Sequence, residues 1–508
     1  MAGNEPLEHG QSTPVTVIID DDGAEPVEMS IVPDQSINRA VFTEYDPVEL
    51  DDDIDARYIT KSSIWSWALW DLSTQPFSTI IITFIFIPLY LTNTGFLDAR
   101  YLALPVNDPI RIRAMDNLAA SIGGWITIAG ILIALLAPAL GQRADGSGRR
   151  KAWLAVSNLL LVLIMALLFF VRPHPQYFMV GAMLVAIGAV VNMVANVNYN
   201  ALLSSVSTSA SADRVSGLGF SFGYFGGIAA LLFMVIFERS NWFGLAADDG
   251  LPFRVVALAC AIWALLFGWP LYRYVKELPL SSGRQKVKFV QYYATTFEMI
   301  RDLFTASRAT FWFIVASAIY RDGLTGIFTF GAIVAAISFG FTAQMVILFG
   351  LIASLVVGIS TLLFGHLDSK WGARRVIIIS LAVLLAAGII ALIFHEMGTI
   401  VFWIFGLILC ATVGPAQAAS RAYLAKLTPP GHESEVLGLY ATIGKAALFL
   451  SAAMWTIFIA TFGATIWGLL GVLLVIALGL AVLMFLVPDG STAADSAFLM
   501  QYGAADDD

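Results

Sequence analysis

Long apolar runs are the feature that most constrains what this chain can fold into. A helix needs about 20 mostly apolar residues to cross the ~30 Å hydrocarbon core of a bilayer, and charged residues make up only 13% of the chain, against about 25% in soluble domains. Twelve such runs occur, at 64–92, 118–140, 152–171, 176–205, 215–237, 254–274, 309–338, 342–365, 375–394, 398–425, 434–460 and 464–487. The sequence therefore predicts an all-α integral membrane protein with twelve transmembrane helices.

Polar segments flank and divide these runs. Residues 1–61 are acidic and poor in large apolar side chains, as is the end at 489–508, so both are expected to be disordered tails. The N-terminal tail also lacks the basic start and short apolar stretch of a cleavable signal peptide. We predict an N-terminal six-helix bundle at 62–274, a cytoplasmic linker at 275–308 and a C-terminal six-helix bundle at 309–488.

Lysine and arginine collect on alternate loops, which places those loops in the cytoplasm. An even number of spans then puts both termini on that side. The basic loops carry Arg143, Arg149, Arg150, Lys151, Arg214, Arg273, Lys276, Arg284, Lys286, Lys288, Arg301, Arg308, Lys370, Arg374, Arg375 and Lys426.

The two halves repeat one another in sequence. Residues 200–203 resemble 421–424, and residues 214–219 resemble 435–440, at one constant offset that pairs Tyr224 with Lys445. A second repeat follows the second and eighth runs. Its members are Gly141, Asp145, Gly148, Arg149 and Arg150 in the first half and Gly365, Asp368, Gly372, Arg374 and Arg375 in the second. Duplication of six helices indicates two pseudo-symmetric bundles.

The repeated loop motif has two interpretations. Its aspartates, Asp145 and Asp368, would accept hydrogen bonds from a neighbouring helix end or pair with Arg149 or Arg374, and so brace the cytoplasmic side as a gate. Orientation by positive charge alone accounts for the arginines without a gate, although not for the repeated Asp and Gly.

Five ionisable side chains lie inside the predicted spans, namely Asp71, Arg321, Asp322, Arg421 and Lys445. Unpaired charges at the bilayer centre would together cost about 12–18 kcal/mol on insertion scales. They must therefore face a watery cavity, pair with one another, or become neutral. The two aspartates would bind a cationic group or take up a proton, and the basic residues would hold a carboxylate; alternatively, these charges pair and lock the halves together.

Polar residues share helical faces with these charges, which favours the cavity. Asp71, Thr74, Gln75 and Ser78 form one stripe, with Pro76 as a predicted kink. The candidate residues for binding substrate or a proton are Asp71, Gln75, Asn196, Asn200, Tyr224, Arg321, Asp322, Gln417, Arg421 and Lys445.

The loop motif resembles the signature of the major facilitator superfamily. A closer resemblance is to its branch of autophagy-linked vacuolar amino-acid effluxers and their bacterial relatives. It is carried by residues 67–71, Thr79, 83–84, 199–203, 215–219, 223–224, 321–323 and 420–421, and it departs at 72–76 and at Ala422. The resemblance implies a major facilitator fold and amino acids or similar metabolites as substrates, in the cell membrane of a bacterium or the vacuolar membrane of a fungus.

These observations together lead to the expectation of a monomeric, alternating-access secondary transporter of a small solute, driven by a proton or other ion gradient or by the solute's own gradient. The alternative is a non-transporting receptor or assembly factor on the same fold. An intramembrane enzyme is disfavoured because no nucleophile and base pair accompanies the buried acids. The chain shows no phosphate-binding loop, no metal ligand set among its His and Cys residues, and no nucleic-acid-binding pattern, so no cofactor is expected.

Overall fold

In the computed structural model, every regular element of the described residues is a helix. The structure describes residues 59–147, 149–207, 211–240, 244–245, 248–276, 289–428 and 433–487. The two terminal tails and part of the basic linker lie outside these ranges. Accordingly, the tail predictions and the domain boundaries remain predictions.

Six long helices form the first half: α1 (Lys61–Leu91), α2 (Pro109–Ser147), α3 (Arg150–Leu168), α4 (Pro175–Ala201), α5 (Ala212–Arg239) and α6 (Leu251–Tyr274). A linker helix, Phe289–Ala306, follows. The second half consists of α7 (Arg308–Ser338), α8 (Ala343–Trp371), α9 (Ala373–Ile393), α10 (Thr399–Leu427), α11 (Glu433–Ala446 and Leu450–Phe462) and α12 (Thr465–Leu486).

Eleven helices within the described ranges are long and apolar enough to cross a membrane. The remaining helix of the twelve, α7, has 31 residues. It is long enough to cross a membrane, but the adjacent Arg321 and Asp322 make its middle less apolar than that of the other eleven. Two predicted spans differ from the helices observed. The run at 118–140 lies within a helix of 39 residues, because the polar ends of α2 continue the helix beyond its apolar part. The run at 434–460 is interrupted at 447–449 by a turn within α11.

Pro76 marks a change of helix type rather than a simple kink. The first part of α1 is α-helical and ends at Pro76, and the next segment, Phe77–Phe84, is π-helical. Proline removes one backbone donor from the helix and clashes with the preceding turn, so a wider helical turn is the local response.

The packing pattern of the first half recurs in the second. In the first half, α1 packs on α5 and α6, α4 packs on α2 and α3, and α3 packs on α6. In the second half, the equivalent pairs are α7 on α11 and α12, α10 on α8 and α9, and α9 on α12. The most extensive contacts between the halves are α2 with α11, α5 with α8, and α1 with α7. This is the two-bundle arrangement that the sequence repeats predict.

The two halves are joined at the end of the molecule where α2 begins and α11 finishes, which we call the closed end. Asp116 of α2 accepts hydrogen bonds from the backbone N–H, at 2.8 Å, and the hydroxyl of Thr465 at the start of α12. Trp455 Nε1 donates to the Ala119 carbonyl oxygen at 3.1 Å. A carboxylate from one half therefore caps a helix of the other.

The opposite end, where α1 begins and the basic loops lie, is organised differently. A single apolar core contains residues of both halves, but the side chains around Trp67, Trp70 and Tyr199 form a second core made only from the first half. We call this the basic end. The halves thus share one core, while part of the first half at the basic end packs separately from it.

At Gly130, α2 lies directly against the backbone of α11. A Cβ built there would lie 2.9 Å from Phe449 Cα and 3.0 Å from the Leu448 carbonyl oxygen, whereas a Cβ at Gly124 would meet nothing within 4 Å. Gly130→Val is expected to destabilise the protein by about 1–3 kcal/mol, because backbone atoms cannot move aside. Thermal unfolding of purified protein measures this, with Gly124→Val as the control. Equal stability of the two variants would contradict the closed end described here.

Candidate functional site

Asp71 lies in α1 directly against Gly223 of α5. A Cβ built at Gly223 would come within 2.9 Å of Asp71 Cγ and 3.0 Å of Gln75 Nε2, so the missing side chain makes room for both polar groups. The Gln75 amide is also a hydrogen-bonding partner of the Asp71 carboxylate. Asp71 and Gln75 are both partly exposed, whereas Thr74 is buried and donates to the Asp71 carbonyl oxygen. The predicted stripe therefore keeps Asp71, Gln75 and Ser78 but not Thr74.

Aromatic rings fix the helix turn that carries Asp71. The Tyr199 ring is stacked between Trp67, with centroids 4.4 Å apart, and Trp70, at 4.5 Å. Trp67 Nε1 donates to the Tyr199 carbonyl oxygen, and the Tyr199 hydroxyl is buried without a hydrogen-bond partner. Stacked rings of this kind are rigid and hold α1 on α4.

Arg321 occupies the matching position in the second half, with the opposite charge. Its guanidinium lies over the Tyr440 ring, 4.4 Å from the centroid, and would be 3.4 Å from a Cβ at Gly444 of α11. Gly223 and Gly444 correspond in the sequence repeat that pairs Tyr224 with Lys445. Each half thus sets an ionisable side chain of its first helix against a glycine of its fifth, with an acid in one half and a base in the other.

Arg421 of α10 reaches across to the first half. Its guanidinium lies over the Phe220 ring of α5, 5.5 Å from the centroid, and Phe220 is in edge contact with Tyr224. Tyr224 and Tyr440 are both within electrostatic range of Arg421. This contact brings candidate residues of both halves together around one space.

Asp322 has a different environment from Asp71. Its buried carboxylate accepts the Ser451 backbone N–H at 2.5 Å. Ser451 lies in the first turn after the break in α11, so Asp322 caps the N-terminus of the second segment of that helix. Lys445 lies in the last turn before the break, where a positive charge is favoured by the helix dipole.

The five ionisable residues do not neutralise one another. Within the described part of the chain, no basic nitrogen lies within 4.0 Å of either the Asp71 or the Asp322 carboxylate. The same holds for acidic oxygens around Arg321, Arg421 and Lys445. The alternative in which these charges pair and lock the halves therefore does not describe this conformation.

Accessible surface lies near these residues. Thr325, one turn beyond Arg321, is the only exposed residue of α7 between Ala309 and Ser338, a helix that is fully described and packed against both halves. Arg421 and Tyr224 are exposed as well. The exposed surface near these positions therefore includes polar and charged side chains together with the Phe220 ring.

The remaining candidates are less closely connected. Asn196 donates to the Asn192 carbonyl oxygen of its own helix at 2.9 Å, Asn200 is exposed, and Gln417 is half-buried one turn before Arg421. None of these three side chains is in a hydrogen bond with the Asp71 or Arg421 side chain among the described contacts. Their place in the site stays a prediction.

The loop motif is partly described. The side chains of Gly141, Asp145, Gly365 and Asp368 and the whole of Gly148 lie outside the described residues. Arg149 and Arg375 are exposed, and Arg150 donates to the Ala201 carbonyl oxygen at the end of α4. Gly372 has a φ of 84°, a backbone conformation that favours glycine.

Basic side chains at the starts of α3 and α9 cap neighbouring helices in the same way. Lys151 Nζ donates to the Val275 carbonyl oxygen after α6, at 2.6 Å, and Arg374 donates to the Val487 carbonyl oxygen after α12, at 2.8 Å. Cations at helix C-termini are favourable. The basic loops therefore hold each half together in addition to any effect on orientation.

Two functional candidates were not predicted from the sequence. No sequence signal distinguishes Tyr440 from the apolar residues of its helix, or Phe220 from a lipid-facing residue. Their roles depend on the arginines over their rings, Arg321 over Tyr440 and Arg421 over Phe220. Asp116 was overlooked because it lies just outside the run at 118–140, although an acid that close to a membrane helix is itself a signal.

Comparison with known proteins decides the family. Residues 59–495 match the family described as vacuole effluxer Atg22 like. The chain belongs to the Atg22-like effluxer family. An uncharacterised MFS-type transporter, YxiO of Bacillus subtilis, is 23% identical over 436 residues, which cover 84% of this chain and 95% of that protein.

Solved structures agree with this assignment at the level of fold. The D-xylose–proton symporter has a TM-score of 0.59 and 13% identity, covering 84% of this chain and 98% of its own. The nucleoside transporter NupG has a TM-score of 0.54 and 14% identity, covering 86% and 99%. The chain is thus an Atg22-like, multi-pass membrane protein with the major facilitator fold of a transporter. Its relatives are transporters and not enzymes, as the sequence led us to expect.

Gly223 and Gly217 provide a test of the Asp71 position. Gly223→Ala would press a methyl group into the Asp71 carboxylate, whereas Gly217 of the same helix has nothing within 4 Å of a built Cβ. We expect Gly223→Ala to reduce solute transport in proteoliposomes by about tenfold or more, equivalent to about 1.4 kcal/mol, and Gly217→Ala to transport like wild type. Wild-type transport by both variants would show that Asp71 does not require this space.

Proposed function

We propose that this Atg22-like protein is a monomeric carrier of amino acids or similar small metabolites that works by alternating access. The family supports a carrier, since it is described as a family of vacuole effluxers; the amino-acid class rests on the resemblance carried by the sequence motifs and on the charges of the site. The bundles predicted at 62–274 and 309–488 would rock around the space between Asp71 and Arg421. The single observation that carries the proposal is that Asp71 and Arg421 have no ion-pair partner among the described residues, while Arg421 and Tyr224, which follows the glycine packed on Asp71, are exposed.

A zwitterionic solute matches this arrangement. Its ammonium group needs an anionic partner, which Asp71 supplies from the first half, and its carboxylate needs a cation, which the second half supplies. Neutral solutes, such as the sugar and nucleoside named for the structural neighbours, would leave these charges without partners, which is costly where water is scarce.

Asp71 is the better candidate for coupling to a proton. Its carboxylate is next to Gln75 and in electrostatic contact with Tyr199, with no basic partner within 4.0 Å among the described residues. Asp322, by contrast, caps a helix, and its loss would be structural. We therefore assign ammonium binding or proton uptake to Asp71.

The state shown by the structure follows from the direction of the basic loops. If these loops face the cytoplasm, the basic end is the cytoplasmic end, and the closed end with Asp116 and Thr465 faces the other side. The conformation is then inward-facing. Transport requires the Asp116–Thr465 and Trp455–Ala119 bonds to break when the other side opens.

Uptake or efflux of labelled amino acids in proteoliposomes, with and without a pH gradient, tests this function. Wild-type protein should accumulate at least one amino acid when a gradient is applied. Asp71→Asn should lose the gradient-driven component by about tenfold or more, or about 1.4 kcal/mol, because the side chain no longer takes up a proton or binds an ammonium.

Asp322→Asn is the matched control, since asparagine keeps an oxygen that can accept the Ser451 N–H. It should preserve gradient dependence. Full gradient-driven transport by both Asp71→Asn and Arg421→Gln would refute the charged site, and absence of transport of every amino acid by the wild type would refute the substrate class.

A further inference from the structure

We infer that Arg321 and Arg421, with Tyr440 beside them, form a binding site for one carboxylate group of the transported solute. The inference rests on the proposed function, since it names the chemistry of the same site. It assigns the carboxylate to the second half of the molecule, and it gives Arg321 and Tyr440 roles alongside Arg421.

Arg321 is held in place but is not satisfied. Its guanidinium lies 4.4 Å from the Tyr440 ring centroid, an arrangement that orients a cation without neutralising it. Apart from the nearby Tyr440 hydroxyl, the buried Arg321 NH1 has no hydrogen-bond acceptor among the described residues. A buried donor on a charged group carries a full desolvation penalty until an acceptor arrives.

Arg421 completes the site from the next helix. It is exposed toward the space between the halves, and it is within electrostatic range of the same Tyr440 that lies under Arg321. Its other contact is the Phe220 ring of the first half, which supplies no acceptor oxygen. Tyr440 is thus within electrostatic range of two guanidinium groups. Neither has an acidic partner within 4.0 Å among the described residues.

Structural arginines elsewhere in the chain are treated differently. Arg254, buried near the closed end, donates from Nε to the Phe169 carbonyl oxygen at 2.6 Å and has Asp249 Oδ2 3.8 Å from NH1. Arg374 donates to the Val487 carbonyl oxygen. Arg254 and Arg374, which hold helices together, both have carbonyl oxygen acceptors, whereas Arg321 NH1 has no such acceptor among the described residues. This difference supports a ligand at Arg321.

A planar oxyanion fits these two arginines best. Guanidinium groups bind carboxylates through parallel N–H···O bonds that a single ammonium does not reproduce. The two nearest aspartates have other contacts and do not pair with these arginines. Asp322 accepts the Ser451 N–H, and Asp71 lies beside Gln75 against Gly223. Since Asp71 and Arg321 occupy repeated positions in opposite halves, a bound zwitterion would point its carboxylate toward α7, α10 and α11.

The first experiment needs no ligand. Thermal unfolding is measured for the purified full chain and for Arg321→Gln, Arg421→Gln and Arg254→Gln. Removing an unsatisfied charge should leave the melting temperature unchanged or raise it, whereas Arg254→Gln should lower it, because it breaks existing hydrogen bonds. Losses of stability in both Arg321→Gln and Arg421→Gln as large as that in Arg254→Gln would overturn the inference.

The second experiment measures thermal stabilisation by the twenty L-amino acids, by their carboxamides, and by glucose and uridine. We expect at least one amino acid to stabilise the wild type, its amide to bind at least about tenfold more weakly, equivalent to about 1.4 kcal/mol, and Arg321→Gln and Arg421→Gln to lose the preference for the acid. Arg421→Lys, which keeps the charge without the planar fork, should restore part of it.

The outcomes separate this inference from the proposed function. Equal binding of an amino acid and its amide, or wild-type preference for the acid in both glutamine variants, would overturn the carboxylate site while leaving an amino-acid carrier. Binding of glucose or uridine alone would overturn both. If no compound binds, the amino-acid function fails, and the ligand-free melting temperatures still decide whether the two arginines are structural.

Discussion

An ionised side chain inside a membrane-spanning helix must be compensated, and this constraint shapes the centre of the molecule. Asp322 and Lys445 are compensated by helix ends, because the break in α11 creates one N-terminus for the acid to cap and one C-terminus for the base. Asp71, Arg321 and Arg421 have no such ends; Asp71 and Arg321 are partly exposed, and Arg421 and the nearby Thr325 are exposed. Asp322 and Lys445 therefore have structural roles, whereas Asp71, Arg321 and Arg421 are available to a solute.

Duplication explains how charges of opposite sign came to face one space. The same helix pairs pack in both halves, and the glycines Gly223 and Gly444 occupy equivalent positions next to Asp71 and Arg321. A solute between the halves therefore meets an acid on one side and a base on the other. The opposite charges of Asp71 and Arg321 make the two sides of an otherwise nearly symmetric site different. This difference favours a dipolar solute over a neutral one.

Most of the fold could be predicted from the sequence because it depends on apolar length and on repetition, both of which are visible in one chain. Helix ends were less accurate, as α2 shows, since apolarity reports the thickness of the bilayer and not where hydrogen bonding stops. The break in α11 was missed because no proline or polar cluster marks residues 447–449; it is seen only once Asp322 is placed at Ser451.

The candidate site was predictable in its charges but not in its contacts. Asp71, Arg321 and Arg421 stand out because ionised residues are rare in apolar runs. Tyr440 and Phe220 do not stand out, because aromatic residues are common in membrane helices and their contact with arginine depends on packing between distant segments. The roles of the two aspartates, which the sequence left open, are distinguished by Ser451 on one side and Gly223 on the other.

Water access at Thr325 tests the central claim most directly, because the charges are tolerable only if they line an aqueous space between the halves. The native cysteines, Cys260 and Cys410, are buried, so Thr325→Cys offers one accessible thiol, with fully buried Ser317→Cys of the same helix as the control. Both variants are treated with a membrane-impermeant maleimide in vesicles of either orientation. The structure predicts labelling of Thr325→Cys from the side of the basic loops and none of Ser317→Cys. Absence of labelling at Thr325→Cys from either side would contradict a shared aqueous space.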